Sequence, residues 1–137
     1  MNAVVGAAGC VWLGMVLAIS FLEAPLKFRA PGITLALGLG IGRLVFAALN
    51  RVELALATVA AVAAVVGPHP LGMVASGAVA VAALVAQLVV VRPRLVRRSN
   101  LVLQGERAQR SRAHHAYVGL EVIKVLALVA LAWAALR

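Results

Sequence analysis

The sequence has few of the residues on which functional sites in soluble proteins are built. It contains a single cysteine, Cys10, so it can form neither an intrachain disulfide nor a cysteine-based metal cluster. Only 4% of its residues are aromatic. Because single-stranded nucleic acids stack on aromatic side chains, no nucleic-acid partner is expected. The sequence also lacks a Walker loop, a dinucleotide fingerprint and zinc-ligand spacing.

Charged residues are also scarce, at 12% of the chain against about 25% in ordinary soluble domains. Hydrophobic residues make up 64% of the 137 positions, and the mean hydropathy is +1.06. A single domain of this size cannot hide that much apolar surface from water. The sequence therefore predicts an integral membrane protein whose principal partner is the lipid bilayer.

Four apolar stretches are long enough to cross a membrane as helices, which requires about 20 residues each. The apolar stretch 33–67 would be about 50 Å long as one helix, against a hydrocarbon core of about 30 Å. Its glycine-rich start, 33–41, is therefore predicted as a re-entrant or interfacial segment. The alternative is a fifth span over 33–49, which would place Arg43 in lipid at a cost of about 2.5–3.5 kcal/mol. The prediction is an all-α, integral membrane four-helix bundle in one domain, 1–137, with helices over about 4–22, 44–66, 71–91 and 115–136.

The net charge of +9 is concentrated in two connections. The connection 92–112 carries seven arginines, whereas the link 67–70 has no full charge. Because basic loops remain in the cytoplasm, the basic connections are predicted to be cytoplasmic and both termini outside, in the cell membrane. The basic residues around the first connection are Lys27, Arg29, Arg43 and Arg51.

Polar residues lie inside the predicted helices, where they are costly and commonly mark functional sites. In the fourth helix Tyr117, Glu121 and Lys124 share one stripe, and Lys124 is about 16 Å from the cytoplasmic end. The second and third helices carry polar residues near the same depth. An alternative is that these groups only fix the register of the helices. The predicted ligand or ion cluster comprises Asn50, Glu53, Gln87, Tyr117, Glu121 and Lys124.

Two further patterns concern metals. His69, Met73 and Cys10 are soft ligands near the outer end of the bundle that would suit copper(I). The alternative is a histidine in a proline-flanked turn and two apolar filling residues. His114 or His115 could supply one axial haem ligand, but adjacent helical residues point about 100° apart and cannot both serve.

Five short motifs are spread over nearly the whole chain. Together they resemble the transmembrane protein 205 family and its bacterial relatives, which are small four-helix membrane proteins. That family is distantly similar to the membrane domains of copper-resistance protein D and to haem-dependent protoporphyrinogen oxidases, which implies a metal or a porphyrin only by analogy of fold. The motifs are Trp12-Leu-Gly14, Ala24-Pro25-Leu-Lys-Phe28, Gly42-Arg43-Leu-Val-Phe46, Arg92-Pro93-Arg94 and the histidine, His114 or His115, that opens the fourth helix.

A local pattern in the second helix, Arg43-x6-Asn50-x2-Glu53, resembles the signature of membrane-associated enzymes of eicosanoid and glutathione metabolism. Those enzymes are trimers of four-helix subunits with a glutathione site that faces the cytoplasm. The resemblance implies that Arg43, Asn50 and Glu53 would bind glutathione and that an arginine would favour its thiolate.

The favoured function is that of a small polytopic membrane protein whose polar cluster binds or passes a small ligand, metal or ion. One alternative is a membrane enzyme that uses glutathione or haem. Another is an assembly subunit of a larger membrane complex. Small residues at helical spacing, such as Gly6, Cys10 and Gly14, let helices approach closely and also permit a homo-oligomer.

Overall fold

Four long helices make up the described part of the chain. The structure is a computed structural model that describes residues 1–104 and 112–137. The helices are α1 (Asn2–Lys27), α2 (Leu35–Val66), α3 (Leu71–Leu103) and α4 (Arg112–Ala135), and no strand occurs within these ranges. Each helix is long and apolar enough to cross a membrane, which confirms the predicted all-α four-helix bundle.

The helices pack around the bundle in the order α2, α1, α4, α3. α4 makes its most extensive contacts with α3 and also packs along α1, and α1 in turn packs against α2. α2 and α3 touch little along their apolar halves. The centre of the core forms where Trp12, Leu84 and Leu128 meet. Large apolar side chains on every helix are exposed, as expected of surfaces that lipid tails solvate.

Both termini lie at the same end of the bundle as the link 67–70. His69 Nδ1 is 2.6 Å from Asn2 Oδ1, and α4 ends beside the start of α1. The end of α1, the start of α2 and the end of α3 lie at the opposite end, where the Arg43 guanidinium donates to Asn100 Oδ1 at 2.7 Å. We refer to these as the link end and the basic end.

α2 is one unbroken helix of 32 residues. Thr34 caps it, because its Oγ1 accepts a backbone N–H of the first turn at 3.1 Å. The separate segment predicted over 33–41 is therefore wrong, and so is the alternative span over 33–49. Gly38 allows close packing instead of a bend, since a Cβ there would overlap the ring of Phe28, directly after the end of α1.

The two prolines inside the helices each follow a π-helical segment. Leu17–Glu23 precedes Pro25 in α1, and Gln87–Val91 precedes Pro93 in α3. A proline normally breaks an α-helix because it lacks an N–H and its ring clashes with an earlier carbonyl. A wider π turn relieves that clash. α3 therefore continues past its proline, and residues 92–103 of the predicted basic loop are helical, while most of the remaining loop lies outside the described residues.

A methyl group at Gly6 is expected to destabilise the bundle. A Cβ there would lie 2.7 Å from the Cβ of Ala135, which cannot rotate away, and overpacking costs about 1–3 kcal/mol. Gly14→Ala is the matched control, since a Cβ there meets nothing within 4 Å and alanine favours a helix over glycine by about 1 kcal/mol. Thermal unfolding in detergent should show a lower midpoint for Gly6→Ala than for Gly14→Ala. Equal midpoints would contradict this close α1–α4 contact.

Candidate functional site

The centre of the bundle holds an ammonium group with no exposed surface, that of Lys124 in α4. Its Nζ lies 2.5 Å from Glu53 Oε1 of α2 and 3.1 Å from Glu121 Oε1. It also donates to Gln87 Oε1 of α3 at 2.7 Å. Because the interior of the bilayer offers no water, these three oxygens replace the hydration shell of the cation.

The partners of Lys124 are themselves held by hydrogen bonds. Gln87 Nε2 donates to Glu121 Oε1 at 2.9 Å, and Trp12 Nε1 of α1 donates to Glu53 Oε1 at 2.9 Å. All five side chains are at most 2% exposed. Every helix thus contributes to one hydrogen-bonded unit, which we call the polar cluster: Trp12, Glu53, Gln87, Glu121 and Lys124.

The polar cluster contains two carboxyl groups and one ammonium group. Its formal charge is −1 when both carboxyls are ionised and zero when one of them holds a proton. The Oε2 atoms of Glu53 and Glu121 have no hydrogen-bond partner. An uncompensated buried charge is costly. A proton or a hydrogen-bond donor at either free oxygen would therefore stabilise the cluster.

A cavity of about 530 Å³ opens at the basic end, among the end of α1, the start of α2, the basic extension of α3 and the start of α4. Asn50, Tyr117 and Glu121 line it, and Glu121 also belongs to the polar cluster. Tyr117 stands edge-on to Phe46, with ring centroids 5.7 Å apart. The cavity is also lined by the cations Lys27, Arg43, Arg92 and Arg98 and by the hydroxyl groups of Ser20 and Ser99.

Several buried polar atoms of the cavity residues have no protein partner. Asn50 is only 3% exposed and Ser99 only 6%. Buried polar groups are nearly always paired in folded proteins, and an unpaired one costs about 1–3 kcal/mol. A concentration of such atoms around one cavity is typical of a binding site for a polar molecule. The atoms are Asn50 Oδ1, Ser99 Oγ and Ser20 Oγ, whereas the Tyr117 hydroxyl interacts with the Glu121 carboxyl group.

The link end has a different character. A groove of about 440 Å³ runs between α2 and α3 there, and its lining is made of small and apolar side chains apart from His69 and Trp12. Trp12 lines this groove and also donates to Glu53. The indole ring therefore stands between the apolar groove and the polar cluster.

The structure divides the six residues of the predicted cluster between two places. Glu53, Gln87, Glu121 and Lys124 belong to the polar cluster, whereas Asn50 and Tyr117 line the cavity beside it. Of the three residues implied by the glutathione resemblance, Arg43 and Asn50 line the cavity, but Glu53 contacts Lys124 and Trp12 instead.

The residues predicted for metals are held in other ways. His69 has both ring nitrogens in hydrogen bonds, to Asn2 Oδ1 and to the Ala63 carbonyl. Met73 is buried in the link-end core, whereas Cys10 is exposed and does not line the groove that His69 and Met73 share.

The two adjacent histidines, His114 and His115, have different surroundings. His114 lines the cavity and His115 does not. Across residues 1–104 and the described part of α4, no group of three or more His, Cys, Asp or Glu side chains could hold a metal ion. The copper site at His69, Met73 and Cys10, which includes a methionine, stays a prediction.

Two important residues were missed from the sequence. Trp12 was noted only in a motif, although an indole N–H in an apolar helix requires an acceptor and so signals a buried partner. Ser99 lies beyond Pro93, a residue that predicts a loop, so the sequence offers no helical spacing that would place its side chain.

No protein-family model, curated protein or solved structure matches this chain. The likeness to the transmembrane protein 205 family and the local likeness to glutathione enzymes therefore stay predictions. Any functional conclusion depends on the geometry of the cavity and the polar cluster.

Replacing Lys124 by methionine is expected to destabilise the protein strongly. Two buried carboxyl groups would lose their cation, and removal of one partner of a buried ion pair costs about 3–5 kcal/mol. The triple variant Lys124→Met, Glu53→Gln, Glu121→Gln removes every charge and should regain most of the stability. Thermal unfolding in detergent compares the two. A Lys124→Met protein as stable as the wild type would refute an electrostatic role for the cluster.

Proposed function

We propose that this protein is a small polytopic membrane protein that binds a small polar ligand in the cavity at its basic end. The observation that carries the proposal is the set of buried polar atoms around this cavity without protein partners, above all Asn50 Oδ1 and Ser99 Oγ. Sites that bind small molecules commonly combine an apolar wall with a few converging polar groups, and this cavity has both.

Binding fits the arrangement better than passage across the bilayer. The link-end groove has almost no polar lining, and Trp12 closes it off from the polar cluster. A polar ligand or ion that reached Glu121 from the basic end would meet apolar surface beyond it. The ligand therefore enters and leaves from the same side of the membrane.

The polar cluster has its own part in this proposal. Glu121 lines the cavity and also accepts hydrogen bonds from Lys124 and Gln87 through Oε1. A ligand that donates a hydrogen bond to the other oxygen, Oε2, would offset the second negative charge of the cluster. Binding in the cavity would thereby be linked to the charge state of the bundle centre.

A glutathione-dependent enzyme is the second candidate, because Arg43 and Asn50 line the same cavity. Glutathione is an anionic peptide with several donors, which suits a cationic cavity with free acceptors. Conjugation of glutathione to a chromogenic electrophile by the purified protein would favour this candidate. A Soret band would favour haem with His114 as one axial ligand, and co-purifying subunits would favour an assembly role.

Asn50→Leu is expected to abolish ligand retention without destabilising the fold. The leucine has the same branched heavy-atom skeleton, and the cavity beside position 50 accommodates its larger volume. Removal of an unpaired buried amide oxygen should leave stability unchanged or raise it by up to about 1–3 kcal/mol. Ser76→Ala is the control, since Ser76 is buried at the link end and its hydroxyl is bonded to the Gly72 carbonyl. Native mass spectrometry from mild detergent should detect a small molecule on the wild type and on Ser76→Ala but not on Asn50→Leu. Equal retention by all three proteins would argue against the cavity.

The basic end is proposed to face the cytoplasm, with both termini outside, in the cell membrane. The positive-inside rule keeps loops and helix ends that are rich in Lys and Arg on the cytoplasmic side, and the basic end carries these residues. In a Cys10→Ser background, a membrane-impermeant maleimide should label Pro68→Cys from outside intact cells. Ala30→Cys should react only after the membrane is opened. Both positions are exposed, so a reversed labelling pattern would reverse the orientation.

A further inference from the structure

We infer that the ligand of the basic-end cavity is a phosphate ester that carries a free hydroxyl group. This inference rests on the proposed function and specifies the chemistry that the cavity recognises. It follows from three features of the cavity: the directions from which donors converge, the acceptors near the polar cluster, and the apolar wall.

Donors approach the cavity from three helices. Lys27 comes from the end of α1, Arg43 from α2, and Arg92 and Arg98 from the basic extension of α3. A carboxylate presents two oxygens in one plane, whereas a phosphate presents several oxygens in different directions. Guanidinium groups bind phosphate oxygens through directed, charge-assisted hydrogen bonds. Cations that converge from three helices therefore match a phosphate group best.

The hydroxyl groups of the cavity add to this anion site. Ser99 directly follows Arg98 in α3, and its Oγ is buried without a partner, as is that of Ser20 in α1. Both hydroxyls are free to donate to an anionic oxygen. Some of this charge and donor capacity is used inside the protein, since Glu23 lies 3.6 Å from Lys27 Nζ and the Arg43 guanidinium donates to Asn100 Oδ1.

The part of the cavity beside the polar cluster presents hydrogen-bond acceptors, so it favours a donor on the ligand and not an anion. Asn50 Oδ1, an amide oxygen, can only accept a hydrogen bond, and Glu121 Oε2 accepts one when its carboxyl group is ionised. An anionic oxygen cannot satisfy them, so the ligand must also carry a donor beyond its phosphate. A hydroxyl group on the esterified alcohol would reach these acceptors while the phosphate remains among the arginines.

The remaining wall is apolar and includes Phe28, Phe46, Leu95 and Val96. It lies at the basic end of the bundle, so an alkyl chain attached to the phosphate could run along it. A membrane lipid with a hydroxylated head group and a soluble polyol phosphate share the required chemistry. The experiment distinguishes these two sources.

The test uses the full-length protein in phosphatidylcholine nanodiscs or mild detergent, with binding followed by native mass spectrometry and by thermal shift. Phosphatidylglycerol has a phosphodiester and free hydroxyls, phosphatidic acid has the phosphate without the added polyol, and phosphatidylcholine has no hydroxyl donor. We expect phosphatidylglycerol to bind at least about ten-fold more tightly than phosphatidylcholine and more tightly than phosphatidic acid. Displacement by millimolar glycerol 3-phosphate would assign the site to a soluble ester, and resistance to it would assign the site to the lipid.

Variants separate the anion site from general charge attraction. Arg92→Gln with Arg98→Gln should weaken binding of phosphatidylglycerol about ten-fold or more, whereas Arg51→Gln, an exposed arginine on α2 that does not line the cavity, should not. Asn50→Leu should remove the preference for phosphatidylglycerol over phosphatidic acid. Melting midpoints without lipid verify that each variant is folded.

Equal affinity for phosphatidylglycerol and phosphatidylcholine, together with no binding of glycerol 3-phosphate, would overturn the inference. Equal losses in Arg51→Gln and the cavity double variant would overturn it as well. If the wild type then still retained another small molecule that Asn50→Leu loses, only the ligand class would be wrong. If no molecule depended on Asn50, the proposed function would fail as well.

Discussion

The ammonium group of Lys124 sets the condition that the rest of the bundle satisfies. Helices in lipid gain no hydrophobic drive to associate, so specific contacts must decide their register. The surfaces of these helices are largely Ala, Val, Leu and Gly, which fit together in many ways. A buried cation needs particular oxygens at hydrogen-bond distance, and here Glu53, Gln87 and Glu121 supply them. Trp12 then ties the first helix to the same unit.

The helices pack differently on the two sides of this cluster, towards the link end and towards the basic end. Towards the link end, small side chains let the helices approach closely, as where Gly6 of α1 meets Ala135 of α4. Towards the basic end, the helices leave a cavity surrounded by cations and unpaired polar atoms. Glu121 belongs to both halves, since it is bonded inside the cluster and lines the cavity. It connects the polar cluster to the cavity wall.

Much of this architecture could be predicted from residue types and spacing. Apolar runs predicted four helices, and the depth of Glu53, Glu121 and Lys124 predicted that they would lie near one another. Two local expectations failed for the same reason: glycine and proline were interpreted as breaks. Gly38 accommodates the ring of Phe28, and Pro93 continues a helix. The cavity could not be predicted, since it depends on where Ser99 falls once α3 extends beyond the apolar region.

The π-helical segments of α1 and α3 set the rotation of the basic end of each helix, about the helix axis, relative to its apolar part. Each adds residues to a turn without adding a loop, and each contains a side chain that matters, Ser20 in one and Gln87 in the other. If Gln87–Val91 had regular α-helical geometry with the same number of residues, everything beyond it would be rotated by up to about 100° from its present position. Arg92 and Arg98 would then point away from the cavity while the buried cluster stayed in place. The π turn in α3 therefore lets one continuous helix direct Gln87 into the polar cluster and its arginines towards the cavity.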